Sequence, residues 1–136
     1  ETESEFRELL DFVRAGNVDH LGVFEYSPEP GTAAFSLPDR VEADVATTRA
    51  RAIVEAMEEV AGARGRAMVG RRTQVLIDEA QSGGEHGPAV GRTSGQAWEM
   101  DGIVLVDDPE GGVEEGDFAA VRVTGVDGFD LTAELA

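Results

Sequence analysis

Histidine, carboxylate and a proline-rich corner are the groups from which chemistry could be built in this 136-residue chain. His20 and His86 have no acid, base or nucleophile at a motif spacing, so a surface or boundary role fits both better than general acid-base catalysis. Asp107 and Asp108, with Glu114, Glu115 and Asp117, are dense enough to suggest a divalent cation. They lack the spaced oxygen ligands and the glycine of a calcium loop, and a solvated acidic turn is the better reading. Cysteine is absent, which removes disulfides, thiolate nucleophiles and any cysteine-held metal or cluster from this chain. No residue is assigned here to catalysis or to a metal.

The remaining candidate is the stretch His-Leu-Gly-Val-Phe-Glu-Tyr-Ser-Pro-Glu-Pro-Gly-Thr-Ala-Ala at residues 20–34. Leu21, Val23, Phe24 and Tyr26 form a short run rich in β-formers and predict a strand. Pro28 and Pro30 fix φ and remove two backbone donors, while Gly31 can take conformations closed to other residues. Pairing must therefore stop near Ser27. Ligands of open parallel sheets and parallel barrels sit at the carboxyl ends of the strands, which makes this abrupt end a candidate wall of a site. An ordinary strand-to-turn junction has the same residues, and the two readings stay open at this level.

The elements that would position the corner can be read on either side of it. Thr2 and Glu5 have the spacing of a capping box, and Phe6, Leu9, Leu10 and Val13 recur on one helical face, predicting a helix over 3–15. Gly16-Asn17 stops it, and the 21–26 strand follows at once. The strand that should precede such a helix is missing, so residues 1–35 read as the last repeat of a larger α/β barrel. Asp39 and Glu42 mark a second helix start. Ala46, Ala50, Ile53, Met57 and Val60 then lie on one stripe, a packing seam that ends near Ala61-Gly62, with Arg64, Arg66, Arg71 and Arg72 at its basic end.

Beyond Arg72 the pattern changes to short β segments at 73–77, 89–93, 103–106, 118–126 and 129–135, with Gly83-Gly84-Glu85-His86-Gly87-Pro88 as the tip between the first two. Five short strands with glycine-rich turns fit a small closed barrel of the OB type. The fold class is thus α+β, divided into a helix-strand piece at 1–38, a linker helix at 39–69 and a five-stranded antiparallel barrel at 70–136. An isolated helix-strand piece buries little apolar area, so residues 1–61 are expected to be poorly ordered when expressed alone.

Net charge is −17, with no lysine. Residues 70–136 hold 4 arginines and 14 acids, a balance of −10, and residues 1–69 hold 7 and 14, a balance of −7. Such a surface repels polyanions and attracts a basic partner, although solubility alone also accounts for an acidic balance. No apolar run is long enough to span a bilayer and no signal peptide is visible, which predicts a cytoplasmic protein.

Leu21-Gly22-Val23-Phe24, followed by Tyr26-Ser27-Pro28-Glu29 and Gly31-Thr32, resembles the strand end of the radical S-adenosylmethionine methylthiotransferases, most closely the RimO branch. A second match, Val90-Gly91-Arg92-Thr93 followed by Glu99-Met100-Asp101-Gly102 and the strand at 103–106, resembles the TRAM domain of those enzymes. The tRNA-modifying MiaB branch shares the Tyr-Ser-Pro corner but carries a different strand before it. Trp98 departs from the RimO pattern, which has Pro there; a tryptophan at that point would either stack on a partner or cover the barrel.

The resemblance implies an enzyme that adds a methylthio group to the β-carbon of an aspartate in the small-subunit ribosomal protein S-twelve, using S-adenosylmethionine and two 4Fe-4S clusters. The cluster cysteines of the family have no counterpart in this chain, which alone is expected to be inactive. Phe24, Tyr26 and Ser27 are implied to line the adenosine side of the cofactor site. The acidic barrel is expected to dock the basic protein substrate, because a barrel that grips tRNA should be basic. Two alternatives are a tRNA methylthiotransferase of the MiaB branch and a free-standing acidic OB-like binding module.

Overall fold

The computed structural model describes residues 1–80, 87–108 and 110–136. His86 and most of the 83–88 tip lie outside the described residues. Two compact units divide the chain, Glu1–Val60 and Ala61–Ala136.

In the first unit, α1 (Glu3–Arg14) begins at the expected capping box. The Glu5 amide donates to Thr2 Oγ1 at 3.3 Å, and the Thr2 amide and hydroxyl donate to the Glu5 carboxylate at 2.6 and 2.9 Å. These bonds to the charged form hold Glu5 below its ordinary pKa, the Thr2 amide having the largest effect. Gly16 at φ +71° follows the helix end, a left-handed position that glycine takes without steric cost.

The strand predicted at 21–26 is not formed; the segment has no regular secondary structure. Intrinsic β propensity is mostly a preference for a pleated, half-buried surface. No strand among the described residues of this unit offers such a surface or the ladder of hydrogen bonds. The corner after it does form: Gly31 has φ +88°, and the Thr32 hydroxyl donates to the Glu29 carbonyl at 2.8 Å. A short 3-10 turn (Ala33–Ser36) follows.

The second helix, α2 (Ala43–Met68), runs past its expected stop at Ala61-Gly62. A mid-helix glycine costs only about 1 kcal/mol relative to alanine, too little to end a helix supported by packing. The stop comes at Gly70, with φ +83°, whose amide donates to the Val123 carbonyl at 2.8 Å. Arg64 and Arg66 consequently lie inside the last turns of the helix. Gly65 is buried, and a Cβ there would stand 2.4 Å from Val126 Cγ2. This glycine lets the end of α2 lie against the barrel wall.

The second unit is a closed barrel of β1 (Arg72–Glu79), β2 (Ala89–Arg92), β3 (Val104–Asp107), β4 (Phe118–Asp127) and β5 (Asp130–Leu135), in the order β1-β2-β3-β5-β4. Four seams are antiparallel and β3 pairs with β5 in parallel. An odd number of strands cannot alternate in direction all the way round, so an otherwise antiparallel five-stranded barrel needs one such seam. Alternate residues point inward: Val75 and Ile77, Val104 and Val106, Val121 and Val123, and Leu131 and Ala133 form most of one buried core. Gly91 is required where β2 crosses β1, because a Cβ would meet the Leu76 carbonyl oxygen at 2.4 Å.

Candidate functional site

Two places in the molecule combine exposed aromatic surface with fixed charge, one in each unit. The first is a cavity of about 640 Å³ inside the first unit. Its apolar walls include Phe6, Leu9, Val23, Leu37 and Ile53, and Phe24 and Tyr26 also line it. Ser27 does not, so the structure brings together two of the three corner residues. Phe24 is 90% exposed and Tyr26 58%, which leaves both rings open to a ligand.

Two arginines that sequence reasoning passed over, Arg40 and Arg49, complete this wall. Arg49 Nη1 pairs with Glu1 Oε2 at 2.8 Å and Nη2 with Glu3 Oε2 at 3.1 Å. Its guanidinium carbon lies 5.0 Å from the centroid of Phe6, a cation–π distance. Arg49 Nε is buried with no hydrogen-bond partner among the described residues. Arg40 stacks on Phe35 at 5.1 Å and donates to the Phe35 carbonyl. The signal for Arg49 was present in the periodicity: it falls between Ala46 and Ile53 on the apolar stripe, where a charged residue needs partners. The cavity can hold and stack a planar or apolar group beside a guanidinium. Among the described residues no group of three or more His, Cys, Asp or Glu is placed to hold a metal ion.

The second place is on the barrel. A bulge between Ile77 and Glu79 shifts the β1–β2 register, leaving Asp78 as the extra residue, and bulges re-aim side chains in this way. The Asp78 side chain is only 10% exposed and its Oδ1 lies 3.6 Å from Arg92 Nε. Arg92 in turn sits 5.7 Å from the centroid of Trp98. Trp98 belongs to the 93–102 loop between β2 and β3 and does not bury itself in the barrel; it is 40% exposed.

Asp108 corrects the reading of the acidic cluster as a solvated turn. It is 2% exposed, and its two carboxylate oxygens accept the amides of Gly112 and Val113, each at 3.0 Å. The Gly112 bond is the largest influence and, with Val113, Gly111 and Glu110, holds the carboxyl below its usual range against the opposing effect of burial. Asp108 gathers the backbone amides of Gly112 and Val113. A single aspartate among five acids carries no sequence mark of that role.

A closed five-stranded barrel with this strand order defines the OB class of fold. Within it, the chain belongs to the TRAM-domain family, whose model matches residues 69–136. Along its whole length it is also similar to proteins named ribosomal protein uS12 methylthiotransferase RimO. The protein of Methylococcus capsulatus is 43% identical over 136 residues, covering 100% of this chain and 30% of the relative. Those of Azoarcus sp. and Synechococcus elongatus are each 40% identical, over 98% and 100% of this chain and 29% of each relative. The chain thus spans less than a third of the length of the curated relatives it matches.

Proposed function

We propose that this chain is the C-terminal part of a cytoplasmic RimO-type methylthiotransferase and that its acidic barrel recruits the basic protein substrate, uS12. The supporting observation is that the match to RimO proteins, at 40 to 43% identity, extends over both units and not over the barrel alone. In this reading residues 1–38 close the radical barrel, 39–69 link it, and 70–136 form the docking barrel. S-adenosylmethionine would supply the methyl group and, with the clusters, the radical.

The fit of this chain to those groups is uneven. With no cysteine, it provides no thiolate for either 4Fe-4S cluster, and no step is derived through them. The first-unit cavity, by contrast, has the volume of a small-molecule site. Phe24 and Tyr26 would stack against the adenosine; Ser27, implied with them, is not among the residues lining the cavity. Their part is to orient the group and keep water from one side of it.

Electrostatics supports a protein substrate over an RNA. A protein that neutralises phosphates needs clustered Lys and Arg, whereas residues 70–136 contain 4 arginines, no lysine and 14 acids. Arg92 is already paired with Asp78, and Arg122 with Glu134 at 2.6 Å. Pull-down of the chain with uS12 and with tRNA at low salt tests the reading. Retention of uS12 is expected, and preferential retention of tRNA overturns it.

A further inference from the structure

The 93–102 loop of the barrel carries two exposed apolar side chains in a form that flexible loops do not have. Trp98 is 40% exposed and Met100 79%, and Glu99 between them sits at φ +59°. A non-glycine residue in that region is uncommon and persists only where the surroundings determine it. Here they do. Gln96 Oε1 accepts the Thr93 amide at 2.9 Å and the Thr93 hydroxyl at 3.0 Å, and its amide nitrogen donates to the Gly102 carbonyl. Asp101 Oδ2 accepts the Ala97 amide at 2.7 Å, and the Met100 and Asp101 amides both donate to the Ala97 carbonyl. Gly102 is pressed against the β4–β5 turn so tightly that a Cβ would lie 2.1 Å from the Phe129 carbonyl oxygen.

Arg92, positioned by the Asp78 bulge, stands over Trp98. Asp78 Oδ2 is buried and has no hydrogen-bond partner among the described residues. Within the loop the only charged side chains are Glu99 and Asp101. The result is a braced tryptophan and methionine on a loop whose own two charges are negative, on a barrel of net charge −10. Tryptophan is among the side chains that most often dominate binding energy, and an anchor ordered before binding loses less entropy on contact.

We infer that the Trp98-Glu99-Met100 segment is the anchoring point of the docking surface, and that it receives an extended lysine- and arginine-rich polypeptide whose side-chain stems pack on Trp98 and Met100 while their charged ends meet Glu99. This rests on the proposed recruitment of a basic protein and adds where that protein is held. A stacking platform for single-stranded RNA would also use Trp98 and Arg92. It would, however, have to bring phosphates to a loop whose own charges are both negative.

The test uses the whole chain, ¹⁵N-labelled, titrated with unlabelled uS12, with oligolysine as a minimal basic polypeptide, and with tRNA. The chain has one tryptophan, so one indole N–H signal reports directly on Trp98. Addition of uS12 should shift that signal, and Trp98→Ala should weaken uS12 binding on the order of tenfold and oligolysine binding in the same direction, since lysine stems are what the indole receives. Met100→Ser, at a far more exposed site, should weaken uS12 binding by a smaller factor and guards against a folding defect in the tryptophan variant. If uS12 binds but the indole signal stays still and both variants bind like the parent, the anchor assignment is wrong and the recruitment reading survives. If the parent chain does not bind uS12, the recruitment reading fails and takes the anchor with it. If tRNA moves the indole signal and outcompetes uS12, both are overturned.

Discussion

The two units use similar apolar side chains to opposite ends. In the barrel, ten apolar residues among those described are buried in one closed core. In the first unit only Val13, Ile53, Ala56 and Met57 are buried among the described residues, while Leu9, Phe12, Phe24, Tyr26, Phe35 and Leu37 remain substantially exposed. A barrel strand finds hydrogen-bond partners on both sides, so its alternation of apolar and polar residues becomes an inside and an outside. The 21–26 segment has the side chains of a strand without the partners, and its apolar surface is left facing a cavity. Surface of that kind is what a larger assembly would cover or a ligand would fill.

The contrast can be broken most directly by separating the units. A peptide of residues 1–60 should show no cooperative thermal unfolding by circular dichroism, whereas residues 61–136 should melt in a single transition. Cooperative unfolding of the first piece would mean that its few buried residues suffice, and the contrast would lose its meaning.

Within the barrel, Ile77→Ala removes a side chain that is 1% exposed and should cost about 2–5 kcal/mol in chemical denaturation, as large-to-small changes in close-packed cores do. Gly91→Val should destabilise by about 1–3 kcal/mol or more, since its Cβ would enter the space of Leu76 and Val75. Neither change should alter the spectrum of the 1–60 peptide's sequence, which does not contain them.

Asp108→Ala should cost about 1–3 kcal/mol by stranding the Gly112 and Val113 amides. The pH dependence has a definite sign. Because the folded carboxyl titrates below its unfolded value, its contribution is fully present above the ordinary carboxylate range and is lost as pH falls through the lower folded value. Acidification also relieves repulsion among the other acids, a stabilising effect of opposite sign. The difference between the parent and Asp108→Asn isolates the first effect: their stability gap should narrow below about pH 4. The smallest expected change is Thr2→Ala, which removes the cap of α1 and should lower helicity without moving the melting of the barrel.

How much of this was legible follows the same division. The barrel strands could be read to within a residue or two because alternation, glycine turns and closure all agree. The OB class followed, although the parallel β3–β5 seam is a property of closure that no local pattern carries. In the first unit, the Thr2-Glu5 cap and the Gly31 corner were readable because they depend only on neighbours. The 21–26 strand failed because pairing is not a local property. For the site, Phe24 and Tyr26 line the first-unit cavity and Ser27 does not; the adenosine role that the resemblance implies for all three remains a proposal. Asp78 was missed for a similar reason: its aim is set by a bulge, and a bulge is a relation between two strands.

Charge is the feature that joins the barrel to a function, and competition between partners tests it most directly. The whole chain should be titrated with uS12 in the presence of equimolar tRNA over a range of salt concentrations. A uS12 complex that forms at low salt, weakens as salt rises and is not displaced by tRNA is the predicted result. A chain that leaves uS12 for tRNA would contradict the account.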